Sequence, residues 1–174
     1  MYLISAYFDA QSNKVLNRYI KQIAEKTENR FMLSHQVPPH MTVSQIEARS
    51  EEVLISHFYK LQDELHKGSI EVASIGMMMP YVIYAMPVFN QYLLDLSMDV
   101  YCAFNQIDET KISKYYKPMS WIPHITLGKT LTKEQMLGAV GILQDGFVPM
   151  TAEITEIGLA RVNPHEDIVR FTLH

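Results

Sequence analysis

The sequence predicts an α+β fold: a pseudo-symmetric, bilobal duplication with two antiparallel sheets, flanking helices and a central cleft. Three observations predict it. A Pro-His-x-Thr pattern occurs twice, as Pro39-His40-Met41-Thr42 and Pro123-His124-Ile125-Thr126. Glu71-Val72-Ala73-Ser74-Ile75-Gly76 is echoed by Glu153-Ile154-Thr155-Glu156-Ile157-Gly158 at an offset of 82, close to the 84 that separates the histidines. Each motif also follows a strand, a helix and a long irregular segment, so the chain reads as one domain over 1–174 with an internal repeat, roughly 1–79 and 80–174. A shuffled chain of this composition would hold about 0.017 such tetrapeptides, so two by coincidence is a poor explanation.

In order along the chain, Tyr2 to Phe8 is an aromatic and aliphatic run that reads as a strand. Val15, Leu16, Tyr19, Ile20 and Ile23 then follow at helical spacing, with Ser12 as the expected cap. Glu28 to Pro39 is irregular, and His40 to Val43 forms the first motif strand. Ser50 opens a helix through Val53, His57, Leu61 and Leu65, and Glu71 to Gly76 is the next strand. The second half repeats this order. Val82 to Val88 is a strand, Leu93, Leu96, Val100 and Phe104 mark a helix, and Ile107 to Ile122 is irregular before the motif strand. Thr132 with Gln135 forms a capping box before Met136, Val140 and Leu143, although Gly138 and Gly141 cost that helix about 1 kcal/mol each. The strand Glu153 to Gly158 follows, and Ile168 to Leu173 returns through a hairpin at Asn163-Pro164. Segments as long as the two irregular ones are uncommon in compact domains unless they serve binding.

With 174 residues and 48% hydrophobic content, the chain can bury a real core. Its one cysteine, Cys102, cannot close an internal disulfide, so the fold suits a reducing compartment. The opening apolar run is short, closed by Asp9 and preceded by no basic segment, which predicts a cytoplasmic, unprocessed protein with no membrane association; no obligate protein partner is evident, and a monomer is expected. The net charge of −4 argues against tight non-specific binding of long nucleic acid, which depends on many Lys and Arg contacts to phosphates. A nucleotide or an RNA end remains allowed as substrate.

Side chains alternate along a strand, so His40 and Thr42 share one face while Met41 and Val43 take the other, and His124 and Thr126 do the same against Ile125 and Leu127. Pseudo-symmetry would set two imidazoles and two hydroxyls across one groove. Such a set suits a phosphodiester without metal: one neutral imidazole accepts the nucleophile's proton while an imidazolium gives a proton to the leaving oxygen. The threonines would donate to non-bridging oxygens. No cofactor is expected. A zinc site from His35, His40 and His124 is disfavoured by the lack of close ligand spacing.

At these residues the chain resembles the 2H phosphoesterase superfamily, which includes the bacterial 2'-5' RNA ligase-like proteins and the 2',3'-cyclic phosphodiesterases and is named for two His-x-Thr motifs. The resemblance implies a bilobal fold, cleavage of cyclic or 2'-5' linked phosphodiesters without metal, and His40, Thr42, His124 and Thr126 as the site. It also implies a basic residue shortly after the second motif, here Lys129, as a phosphate contact. RNA 2'-5' ligation, and a binding module without turnover, are the alternatives.

Trp121, Tyr115 and Tyr116, interleaved with Lys114 and Lys117, are expected to stack on a base and steer a phosphate, or else to pack the loop. Ser44, two residues past Thr42, is expected on the groove floor, and Phe31 in the first loop is a weaker stacking candidate. His35, His57, His66, His165 and His174 are read as structural, with His57 and His66 on a helix.

Overall fold

The computed structural model describes residues 1–108, 110–162 and 166–174. The strands are β1 (Tyr2–Phe8), β2 (Met41–Ala48), β3 (Gly68–Met78), β4 (Val82–Pro87), β5 (Thr110–Ile112), β6 (Ile125–Gly128), β7 (Met150–Arg161) and β8 (Glu166–Thr172). The α-helices are α1 (Ala10–Thr27), α2 (Phe31–Ser34), α3 (Glu52–Lys60), α4 (Gln91–Asn105) and α5 (Lys133–Gly146). The hairpin tip expected at Asn163-Pro164, and His165, lie outside the described residues.

All eight strands belong to one antiparallel sheet, ordered β1-β2-β6-β4-β3-β7-β8, with β5 on β2 and β1 pairing again with β7. Two features join the expected pair of sheets. The long β7 pairs with β3 through its first residues, Met150 to Ile154, and with β1 from Ile154 to Arg161. On the other side, Met41↔Ile125 bridges the two motif strands.

The helices reinforce this. α1, from the first half, packs against β6, and α4, from the second, packs against β2. α1 presents Leu16, Tyr19, Ile20, Ile23 and Ala24 at amphipathic spacing, and α4 buries Leu93, Leu96, Val100 and Phe104 likewise. Each motif strand therefore has a helix of the other half behind it, and the buried residues form a continuous core cluster from Tyr2 to Leu173.

Several local readings differ from the sequence expectation. Asp9, not Ser12, caps α1, because its carboxylate accepts from the backbone N–H groups of Gln11 and Ser12 as well as from the Ser12 hydroxyl. α3 carries no side-chain cap at Glu51 and ends at Lys60, followed by a 3₁₀ turn at Leu61–Asp63, so Leu65 and His66 fall in the connection to β3. β3 runs well beyond the expected six residues, to Met78. The capping box at Thr132 and Gln135 is present in full, and Gly138 of α5 packs beside Thr27 of α1.

Candidate active site

The bridge Met41↔Ile125 fixes the geometry of the motifs. In an antiparallel pair, one step either way sets His40 opposite Thr126 and Thr42 opposite His124. Residues opposite one another share a face, so all four side chains stand on the face away from Met41 and Ile125, which are fully buried in the core. The two histidines are diagonal neighbours in this register, about 7–8 Å apart, a spacing that lets them flank one small group.

Each ring is pinned in the same way. The Nδ1 of His40 lies 2.9 Å from the Pro38 carbonyl, and that of His124 lies 2.8 Å from the Ile122 carbonyl. A carbonyl oxygen only accepts, so Nδ1 carries the hydrogen in both rings and Nε2 is the basic nitrogen of each neutral ring. The proline after Pro38 and after Ile122 keeps each of these residues extended, which aims its carbonyl back at the imidazole.

Both halves also share a bulge. β2 shifts register against β1 where Thr42 pairs with Ser5 and Ser44 pairs with Ile4, leaving Val43 extra. β6 does so against β4 where Thr126 pairs with Tyr84 and Gly128 with Ile83, leaving Leu127 extra. Such bulges re-aim side chains beside functional sites. Here the shift overturns the expectation for Ser44: it is opposite the core residue Ile4, is 1% exposed, and faces away from Thr42. Ser5 takes the floor position instead, opposite Thr42, with its buried hydroxyl unpartnered among the described residues.

A tyrosine flanks each histidine. Tyr84 stands edge-on to His124, centroids 5.3 Å apart, and Tyr7 lies 6.2 Å from His40. Their rings occupy the space over two glycines of the repeat. Gly76 is opposite Tyr84, and Gly158 is opposite Ser5, where an added Cβ would come within 2.8 Å of the Tyr7 ring. The close approach explains both glycines. Gly76→Ala would drive its Cβ into the Tyr84 ring; we expect about 1–3 kcal/mol of destabilisation, read as a lower urea midpoint with an unaltered m-value.

Burial lowers the pKa of His124 from the ordinary histidine value, partly opposed by its bond to Ile122. Burial, reinforced by the nearby Asp167 charge, pushes the Tyr7 phenol up to about 12, so it stays protonated and donates to Asp167 at 3.2 Å. The Arg170 guanidinium lies 3.6 Å from the Tyr7 ring centroid.

Other expected residues sit elsewhere. Trp121 offers no stacking face: it is 6% exposed, and its indole N–H donates to the Thr42 carbonyl at 3.0 Å. It is a strut between the second loop and the first motif. Lys129 stands at the far end of β6, roughly 15 Å of strand from His124, with its ammonium over the Phe31 ring. That placement does not favour a phosphate contact. Tyr115 and Tyr116 lie on a 3₁₀ turn held beside β2 at Gln45; Tyr116 is half-buried and Tyr115 is 67% exposed beneath Lys114. His35 stacks on Phe31, and His57 bonds within α3. Ser5, Tyr7 and Tyr84 were missed by the motif. Strand alternation from Thr42 and Thr126 to their neighbours could have found them only with the pairing known. Among the described residues, no group of three or more His, Cys, Asp or Glu is placed to hold a metal, and no helix is long and apolar enough to cross a membrane.

An antiparallel α+β sheet that lays two His-x-Thr strands side by side defines the 2H phosphoesterase class. A sequence model described as the 2'-5' RNA ligase superfamily matches residues 12–166, and the chain belongs to that superfamily. No curated protein matches its sequence. Among solved structures it is similar to one titled a phosphoesterase, with TM-score 0.65 and 12% identity over 99% of this chain and 97% of that one. It is also similar to E. coli LigT, at TM-score 0.60 and 15% identity in the apo form, covering 99% and 96% of the two chains. The complex of LigT with 3'-AMP gives TM-score 0.59 and 15% identity, over 99% and 97%.

Proposed function

We propose that this protein is a phosphodiesterase that opens 2',3'-cyclic phosphates on nucleotides or RNA ends, or cleaves 2'-5' linked ends, with His124 as base and His40 as acid. The observation that carries this reading is the matched pinning of the two rings, which presents two Nε2 atoms on one sheet face within cross-strand reach. In the cyclic case, Nε2 of His124 takes a proton from water, the water oxygen bonds to phosphorus, and the bond to one ribose oxygen breaks. That oxygen receives the Nε2 proton of His40, leaving a phosphomonoester beside a hydroxyl. The Thr42 and Thr126 hydroxyls donate to the non-bridging oxygens as negative charge builds. The burial that favours neutral His124 supports its role as base. 3'-AMP, held by LigT in one complex, is the product of this step on 2',3'-cyclic AMP when the 2' oxygen leaves, and 2'-AMP is the product when the 3' oxygen leaves. The exposed ring of Tyr115 remains available to stack on a base of a longer RNA end.

The test is hydrolysis of 2',3'-cyclic nucleotides in EDTA, with products separated by chromatography. Turnover with the chelator present is expected; turnover that needs added divalent metal would replace this mechanism with another. The pH profile follows from the sign of the His124 shift. A base must be neutral, and a lowered pKa keeps it neutral into mildly acid solution. The acid limb of kcat/KM should therefore bend below about pH 6.5, the unperturbed histidine value. A limb centred above pH 7 would remove His124 from that role.

A further inference from the structure

We propose that an apolar strip beside His124, built from Met86, Val88 and Ile122, seats the nucleobase of the nucleotide whose own hydroxyl attacks phosphorus, which makes a 2'-5' linked RNA end the substrate class of this site. It rests on the paired-histidine reaction given above, with His124 as base. The strip follows from strand register. Ala85 pairs with Ile125, so one step along the strands Met86 stands beside His124 on the cleft face, the face that Tyr84 also shares. Two residues further, alternation returns Val88 and Ile122 to that face, and the ladder still holds there, because the Val88 N–H donates to the Glu71 carbonyl at 2.7 Å. All three side chains are between 38% and 55% exposed, and Phe89 adjoins them, edge-on to Trp121. Contiguous exposed apolar side chains along the wall of a cleft mark a place where a ligand lies.

The two ends of the histidine diagonal carry opposite chemistry. Tyr7 pairs with Glu156 next to His40 as Met86 pairs with Ser74 next to His124, and the carbonyls of Pro38 and Ile122 each hold a ring, so the internal repeat matches the strip with the wall around His40. That wall is charged. Arg170 meets Glu156 and Asp167 there and borders a cavity of about 460 Å³, which Tyr7 and Pro38 also line. The polar neighbours of the strip are already engaged: Ser74 donates to the Ile75 carbonyl at 3.3 Å, and Glu71, at the outer end, accepts from the Thr151 hydroxyl at 2.7 Å. Such a surface contacts the face of a base without reading its edge, and every base has a face.

Displacement at phosphorus sets the attacking and leaving oxygens roughly in line, and the line through the two imidazoles runs from the strip to the cavity. When a cyclic phosphate is opened, water attacks from the His124 side and the strip has no occupant. In a 2'-5' linkage the adjacent 3'-hydroxyl attacks instead. It gives its proton to Nε2 of His124 and bonds to phosphorus, the bond to the 5' oxygen breaks, and that oxygen takes the Nε2 proton of His40. The products are a 2',3'-cyclic phosphate and a 5'-hydroxyl. The attacking ribose and its base then lie at the strip, while the departing nucleoside lies toward the cavity. A substrate with an organic group on each side of phosphorus is the one that uses both ends.

The test is equilibrium binding, by calorimetry, of a 2'-5' linked ApA that lacks the attacking 3'-hydroxyl, and of the same compound without the base on that residue. It is read beside kcat/KM for reactive 2'-5' ApA and for 2',3'-cyclic AMP in EDTA, using the native protein, Met86→Ser and Val88→Asp, with thermal melts to confirm folding. Removing the base should weaken binding to the native protein about tenfold. At least one folded variant should lower the ratio of kcat/KM values, dinucleotide over cyclic nucleotide, by a similar factor. A loss below threefold on removing the base, or a ratio or base dependence that stays within threefold of native in the folded variants, overturns the subsite even if the cyclic nucleotide is opened. Base-dependent binding that the variants abolish, without turnover of either substrate, upholds the subsite and removes the proposed reaction. A dimer in sedimentation that Val88→Asp dissociates, with base removal costing nothing, gives the strip to a second copy of the chain and likewise overturns it.

Discussion

His40→Ala and His124→Ala should each lower kcat for 2',3'-cyclic nucleotide opening by about 10²–10⁴-fold, the range for a positioned general acid or base. Product formation followed by chromatography in EDTA checks this, with circular dichroism and thermal melts confirming that both variants fold. The fold should hold because both rings are only half-buried on the cleft face, while the neighbouring strand residues Met41 and Ile125 carry the core. The double variant should be little worse than either single one, since two groups that act in one proton relay fail together. If either alanine variant keeps its kcat within threefold of native, the paired-histidine mechanism is lost. If native protein binds 3'-AMP yet opens no cyclic phosphate, a binding role takes its place.

The second large effect is on stability. Trp121→Ala removes a buried indole and the donor to the Thr42 carbonyl. Loss of a ring of this size from a core costs about 3–5 kcal/mol, which for a domain of this length lowers Tm on the order of 10 °C. Trp121→Phe separates the two contributions, keeping most of the packing while leaving the carbonyl without its donor, a loss of about 1–3 kcal/mol. Thermal and urea melts of both variants give the ranking. Because the indole ties the second loop to the first motif strand, Trp121→Ala should also reduce kcat at temperatures where the protein remains folded. A Tm within 2 °C of native would mean that the indole is not the strut described here.

Much of the local structure was legible because it is written in short-range patterns. The apolar run Tyr2 to Phe8 is β1 as read, and Thr132 with Gln135 forms the capping box of α5. The helix after that box survives Gly138 and Gly141, since Met136, Ala139 and Leu143 still reach the core. The cap of α1 was misassigned because Asp9 and Ser12 both satisfy the composition rule. The choice depended on which side chain reaches two backbone N–H groups and also Glu153 of β7. That last contact spans most of the chain, and no local window holds it.

The candidate site divides along the same line. Two Pro-His-x-Thr tetrapeptides determined, from sequence alone, which imidazoles and hydroxyls share a strand face and which superfamily to expect, because alternation and proline geometry act over a few residues. The tertiary structure decided that Met41 meets Ile125, that a bulge turns Ser44 inward, that Trp121 is buried beneath the first motif, and that space opens beside His40. Each of these depends on cross-strand register and on the volume left between packed elements. Both quantities arise only when distant segments meet.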